Sequence, residues 1–112
     1  MIFRYDELKE CVKKDFERFY KLGFNEKQIL PAVLNEYEHG EGFCIAESAC
    51  IHIFLALIYN EKEWNCHSLI VKLKQILNEE SENAVQAELG DEYIKFVRDL
   101  NVFVKDVTDN DI

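Results

Sequence analysis

The chain has little that would interrupt regular secondary structure. Its 112 residues include only four glycines and one proline, whereas an all-β sandwich needs a turn signal about every 8–12 residues. Apolar residues make up 48% of the chain, and this share is too high for a disordered polyelectrolyte. The composition therefore predicts a helical fold, and the length leaves room for a single hydrophobic core.

Signals for export and membrane insertion are missing as well. No basic segment followed by an apolar run opens the chain. The longest apolar stretch, residues 51–59, is far shorter than the roughly 20 residues that cross a bilayer. The four cysteines form no Cys-x-x-Cys pair, so reduced thiols are expected rather than disulfides. These features predict a cytoplasmic protein without membrane association.

Apolar residues recur at steps of three and four along most of the chain, which predicts amphipathic helices. Residues 43–59 are apolar on almost every side, as is typical of a helix surrounded by others. We predict an all-α, antiparallel bundle of four to five helices around this central apolar helix. It forms a single domain, residues 1–112, with an acidic C-terminal tail that is expected to fray. The other predicted segments are helices at residues 5–22 and 26–38, a helix ending near residue 78, an acidic connection at 79–82, one or two helical turns at 84–89, a last helix after residue 91, and the tail at 106–112.

Local signals support three of the helix ends. Gly23 is suited to the left-handed position that closes a helix, and Asn25 with Gln28 forms a candidate capping box for the second helix. Pro31 lies inside that helix, which is therefore expected either to kink or to begin there. Asp91 is a candidate N-cap for the last helix.

Positive charge is absent from one long stretch. Thirteen Lys and Arg against 22 Asp and Glu give a net charge of −9, which argues against binding to nucleic acid. Residues 28–61 contain no Lys or Arg at all, so their acids form a candidate surface for a basic partner. Alternatively, these acids form only a solvated face, and Trp64, the one tryptophan of the chain, only covers the end of the bundle. The candidate partner-binding residues are Glu36, Tyr37, Glu38, Glu41, Glu47, Glu61, Glu63 and Trp64.

No motif for catalysis or metal binding is complete. Ser48 and His52 lie one helical turn apart, but a hydrolase would also need a group that orients the imidazole and an oxyanion hole. We expect no enzyme activity and no cofactor or metal. A hydrolase that uses Ser48 and His52 is a further hypothesis, which the exposure of both side chains can test. The residues that could gather around zinc lack the usual close pairing of ligands: Cys44, Cys50, Cys66 and His67.

One part of the pattern resembles a known family. Leu22-Gly23-Phe24 leads to Gln28, and Ala32-Val33-Leu34-Asn35-Glu36-Tyr37 and the apolar helix from near Phe43 follow. Over residues 5–80 this pattern resembles the small all-helical immunity proteins of bacterial polymorphic toxin systems. The resemblance implies a cytoplasmic inhibitor that binds a cognate toxin protein. We expect a basic, nuclease-type toxin held by the acidic surface; the alternative is a helical adaptor or regulatory subunit of another bacterial complex.

Overall fold

A computed structural model describes residues 4–38, 45–77 and 79–103, and within these ranges it contains helices and no strand. The all-α class is thereby confirmed. One 3₁₀ turn, Gly90–Glu92, joins the fifth and sixth helices into one interrupted helical stretch, so the bundle agrees with the predicted four to five helices. The helices are α1 (Tyr5–Lys21), α2 (Glu26–Glu38), α3 (Ile45–Glu61), α4 (His67–Ile76), α5 (Glu79–Leu89) and α6 (Tyr93–Leu100), followed by a 3₁₀ turn at Asn101–Phe103.

Helix α3 lies at the centre and packs against α1, α2, α4, α5 and α6. Every residue from Ala49 to Ala56 is buried, which leaves no solvent-facing side over two full turns. Fully burying one of the large aliphatic side chains in this segment stabilises the fold by about 1.5–3 kcal/mol. The surrounding helices therefore owe most of their packing to the burial of α3.

The turn between α1 and α2 follows the geometry that Gly23 predicts. This residue has φ +93°, in the left-handed region. Its N–H donates to the carbonyl of Tyr20 (3.0 Å), and the N–H of Phe24 donates back to the carbonyl of Phe19 (3.1 Å). This pair of bonds is a Schellman motif, which satisfies carbonyls at the end of α1.

The predicted capping box at the start of α2 is also confirmed. The side-chain oxygen of Asn25 accepts hydrogen bonds from the backbone N–H groups of Lys27 (2.9 Å) and Gln28 (3.1 Å). In return, the Gln28 side chain accepts the N–H of Asn25 (2.9 Å). The sequence places this helix end correctly because all of its hydrogen bonds are local.

Pro31 lies inside α2, so the prediction that the helix could begin there is wrong. The hydroxyl of Tyr59, from α3, donates to the carbonyl of Glu26 (2.6 Å). A side chain from the central helix thus supports the first turn of α2. Pro31 and Lys27 are exposed, so water can serve the Lys27 carbonyl that the proline leaves without a donor.

The last third of the chain differs most from prediction. Residues 79–82, predicted as a connection, belong to α5. The predicted N-cap at Asp91 is wrong, since the chain enters α6 directly from the 3₁₀ turn and no side chain caps that helix. Phe96 and Phe103 are both buried in the core. The acidic tail, 106–112, lies outside the described residues.

We expect Asn25→Ala to lower the free energy of unfolding by about 1 kcal/mol, because two N–H groups of α2 lose their acceptor. Urea denaturation followed by circular dichroism measures this change. Asn60→Ala is the matched control, since Asn60 is exposed in the last turn of α3, where alanine is a better helix former. Equal stability of the two variants would show that the capping box contributes nothing.

Candidate functional site

The turn between α3 and α4 repeats the hydrogen bonds of the turn between α1 and α2. The N–H of Glu63 donates to the carbonyl of Asn60 (3.1 Å), and the N–H of Trp64 donates to the carbonyl of Tyr59 (2.9 Å). The side chain of Asn65 then accepts the N–H of His67 (2.9 Å), as Asn25 does in α2. Both turns are therefore Schellman motifs followed at once by an asparagine that accepts a backbone N–H, but Asn25 is the N-cap of α2, whereas Asn65 precedes Cys66, the N-cap of α4.

The two turns also match in sequence. Residues 19–25 read Phe-Tyr-Lys-Leu-Gly-Phe-Asn and residues 59–65 read Tyr-Asn-Glu-Lys-Glu-Trp-Asn. Each has an aromatic pair at positions one and six, with ring centroids 5.2 Å apart for Phe19 and Phe24 and 5.1 Å apart for Tyr59 and Trp64. We call these segments the aromatic turns. This repeat was not predicted from the sequence, although the aromatic residues and the asparagines recur at the same spacing in both segments.

The aromatic turns differ at their left-handed position. The first has a glycine there, and the second has Glu63 with φ +59°, the one non-glycine residue with positive φ in the described part of the chain. A residue with a Cβ in this region costs about 1–2 kcal/mol. The second aromatic turn is therefore less stable than it would be with glycine.

Trp64 is half-buried at the end of the bundle. Its ring centroid lies 5.7 Å from that of Phe16 and 5.8 Å from that of Tyr20. These contacts agree with the expectation that the indole covers the end of the core. The Tyr20 ring remains 46% exposed, and the ammonium of Lys62 lies 4.2 Å from its centroid. An aromatic surface that already holds a cation thus reaches solvent beside Trp64.

Two clefts flank this surface. The first, about 390 Å³, lies at the second aromatic turn. The second, about 370 Å³, lies between the first turns of α2 and α4, and both clefts include Glu26 and Asn65. Glu26 is half-buried and Glu63 is exposed, so the carboxylate of Glu63 faces solvent. The first cleft is lined by Asn25, Glu26, Glu63, Trp64 and Asn65.

The candidate residues on α2 face α1. The carboxylate of Glu36 pairs with Arg18 (2.8 Å), and both side chains are exposed. The hydroxyl of Tyr37 donates to Asp15 (2.9 Å). Burial, together with Asp15, raises the pKa of Tyr37 well above its usual value. These two residues therefore lie in an interface between helices rather than on an unpaired acidic face. The Glu38 side chain and Glu41 lie outside the described residues.

The candidate residues on α3 lie at its two ends. Glu47 is half-buried in the first turn, where burial and the nearby Glu88 raise its pKa. Glu88 also accepts the N–H of Ala46 (3.1 Å) and so caps α3 from α5. Glu61 is exposed at the other end of the helix. Among the predicted residues that the structure describes, Glu63 and Trp64 line one cleft together, beside Glu26, which was not predicted.

A second polar cluster, not predicted from the sequence, joins α1 to α6. The hydroxyl of Tyr5 donates to Asp99 (2.5 Å), and the ammonium of Lys9 donates to the same oxygen (3.1 Å). Asp99 is 7% exposed and lines a cleft of about 230 Å³ that also includes Glu61. Burial, together with this hydrogen bond, raises the pKa of Tyr5 far above its usual value. The cluster ties the first helix to the last across the bundle.

The Ser48–His52 pair does not form the geometry that a hydrolase needs. His52 is 2% exposed, and its Nδ1 donates to the backbone carbonyl of Ser48 (2.7 Å) rather than approaching the hydroxyl. Ser48 is half-buried. The arrangement therefore gives no support to the hydrolase hypothesis.

The described residues contain no group of three or more His, Cys, Asp or Glu side chains that could hold a metal ion. Cys44, one of the candidate ligands, lies outside them. Cys11 is exposed, whereas Cys50 is buried and Cys66 half-buried. No helix among the described residues is long and apolar enough to cross a membrane.

Comparisons with known proteins found no matching family model, no matching curated protein and no matching solved structure.

We expect the free energy of unfolding to fall as the pH rises above about 10, the ordinary pKa of tyrosine. Burial raises the pKa of Tyr59 to about 12, so the folded chain keeps this proton where the unfolded chain has released it. Stability is thus complete below pH 10 and is lost as the pH rises toward 12, by up to about 1.4 kcal/mol per pH unit for each such tyrosine.

Urea denaturation between pH 8 and pH 11 measures this loss, and Tyr59→Phe should make it less steep. Tyr20→Phe is the control, because this ring is 46% exposed. A pH dependence that is identical in both variants would contradict the assignment to Tyr59.

Proposed function

We propose that the chain is a non-enzymatic immunity protein that binds and neutralises a cognate bacterial toxin domain in the cytoplasm. In this proposal, acidic side chains of the immunity protein contact a basic, nuclease-type toxin. The observation that carries the proposal is the charge distribution: a net charge of −9, with no Lys or Arg from residue 28 to residue 61. Such a field attracts a basic partner and speeds its encounter.

The exposure of individual acids supports the same proposal. Glu61 and Glu63 are exposed at the end of α3 and in the following turn, and neither forms an ion pair with another described residue. Their charges are therefore available to a partner. Glu36 contributes less, because it shares its charge with Arg18. Exposed pairs of this kind are weak, about 0–1 kcal/mol, so a partner can still compete for Glu36.

Inhibition would follow from occupation of the toxin's substrate-binding surface. A nuclease binds a polyanion through a basic surface. An acidic protein bound to that surface excludes the nucleic acid by charge and by bulk, and this needs no catalytic group of its own. The pattern over residues 5–80, which resembles small helical immunity proteins, supports this mechanism.

Affinity purification of the tagged chain from its native bacterium tests the proposal, with mass spectrometry of proteins recovered in near-stoichiometric amounts. Recovery of one basic, toxin-like protein whose activity the chain abolishes is the expected result. Recovery of a housekeeping assembly instead would favour the alternative, a helical adaptor or regulatory subunit. Absence of any partner, in cells shown to express a neighbouring toxin gene, would contradict the proposal.

Reversing two of the candidate charges should weaken the complex. We expect Glu36→Lys combined with Glu61→Lys to lower the affinity for the toxin by about tenfold or more, mainly through slower association, and to reduce its salt dependence. Surface plasmon resonance at two ionic strengths measures both effects.

The control combines Glu82→Lys with Asp91→Lys, which changes the net charge equally at exposed positions of the α5–α6 region. An equal loss in both variants would mean that only net charge matters. Unchanged affinity in the first variant would show that Glu36 and Glu61 lie outside the contact surface.

A further inference from the structure

We infer that the second aromatic turn is the point at which this protein holds a Lys or Arg side chain of its partner, between the carboxylates of Glu63 and Glu26 and against Trp64. This inference rests on the proposed function, because it assigns a contact point for the basic partner. It also names a chemical specificity, for cations, that can be measured without that partner.

The two aromatic turns differ in the residue that occupies their left-handed position. Both need a left-handed residue between the helix end and the second aromatic ring, and the first turn meets this need with Gly23 (φ +93°). The second turn uses Glu63 (φ +59°) at a cost in stability. Backbone strain of this kind is concentrated at functional sites. The side chain of Glu63, at the position where the first turn has a glycine, is exposed.

The cleft at the second aromatic turn is lined by side chains that suit a cation. The residues that line it bring two carboxylates, an indole and two side-chain amides, and none of them is cationic. Its volume, about 390 Å³, is ample for a guanidinium group. Lys27 and His67 line the neighbouring cleft instead. An ammonium or guanidinium ion in the first cleft would lie among two carboxylates and an indole, which are groups that bind cations.

A cation of the chain itself lies against two aromatic rings that contact Trp64. The ammonium of Lys62 lies 4.2 Å from the centroid of Tyr20 and 5.7 Å from that of Phe16. Trp64 contacts both rings. The π surfaces of this cluster therefore attract cations within the chain itself. Tyr20 and Trp64 are also of the residue types that dominate binding energy in protein interfaces.

An anion is the competing occupant, because α2 and α4 both begin beside the clefts and helix N-termini attract negative charge. Three of their N–H groups are already engaged, however. The Asn25 side chain accepts those of Lys27 and Gln28, and the Asn65 side chain accepts that of His67. The carboxylates of Glu26 and Glu63 would repel an anion in addition. The cleft therefore favours a cation.

The fluorescence of Trp64, the only tryptophan in the chain, reports directly on this cleft. We expect hexa-arginine amide, added at low ionic strength, to change this fluorescence in a saturable manner. Glu63→Gln should weaken peptide binding by about three- to fivefold, as for the loss of one exposed ion pair. Asp91→Asn removes the same charge near the other end of α1, where Lys95 pairs with Asp6, and should leave the affinity unchanged.

Replacement by glycine separates the strain from the charge. Glu63→Gly should raise the melting temperature of the isolated chain by about 3 °C or more, because glycine adopts positive φ freely. It should weaken peptide binding as much as Glu63→Gln does. Glu63→Gln keeps the Cβ and should leave the melting temperature within about 1 °C of the parent.

The inference is overturned if hexa-glutamate rather than hexa-arginine gives the saturable change, if neither peptide does, or if Asp91→Asn weakens binding as much as Glu63→Gln. Failure of the proposed function looks different, since the peptide would still bind at Trp64 while no toxin is recovered from cells. A toxin that binds Glu63→Gln and the parent equally would contradict the inference alone.

Discussion

The complete enclosure of α3 is the constraint on which the rest of the structure depends. A helix buried from Ala49 to Ala56 on all sides needs neighbours in every direction, and the five other helices of the described part of the chain supply them. The path of the chain follows from this requirement. Because α3 ends at the surface beside the end of α1, the aromatic rings of Phe16, Tyr20, Tyr59 and Trp64 meet there and close the core.

Polar groups at the edges of this core act as links between helices. Tyr59 reaches from α3 into the first turn of α2, Glu88 reaches from α5 to the start of α3, and Tyr5 joins α1 to Asp99 of α6. In each case a buried or half-buried polar atom receives a partner from another helix, which avoids the penalty of about 1–3 kcal/mol for leaving it unsatisfied. These links fix how the helices are placed around α3, whereas apolar burial supplies most of the stability.

The sequence predicted those features that depend on neighbouring residues. The bounds of α2, the left-handed Gly23 and the Asn25–Gln28 capping box are all decided within a few residues, and all were predicted correctly. The Tyr5–Asp99 hydrogen bond joins residues 94 positions apart, so no local sequence pattern predicts it. The first turn of α5 was predicted as a connection because it is acidic and has no apolar residue. It is helical because it continues into the packed turns that follow. Glu63 was predicted as a contact residue for its charge, but its left-handed backbone was hidden because glycine is the expected signal there.

The two aromatic turns show how a local rule and a departure from it can separate structural from functional roles. In the first turn every residue agrees with the conformation it adopts, and its exposed surface carries no carboxylate at the left-handed position. In the second turn the Schellman hydrogen bonds, the aromatic pair and the asparagine that follows them are kept, so the fold does not require a different residue at position 63. Glutamate there opposes the backbone conformation and adds a solvent-facing charge beside an aromatic cleft. Since sequences that fold well agree with their structure at most positions, a disagreement confined to one exposed residue is best explained by what that residue contacts. Glu36 differs, because its carboxylate pairs with Arg18 within the chain, and this difference ranks Glu63 above Glu36 as a contact for the partner.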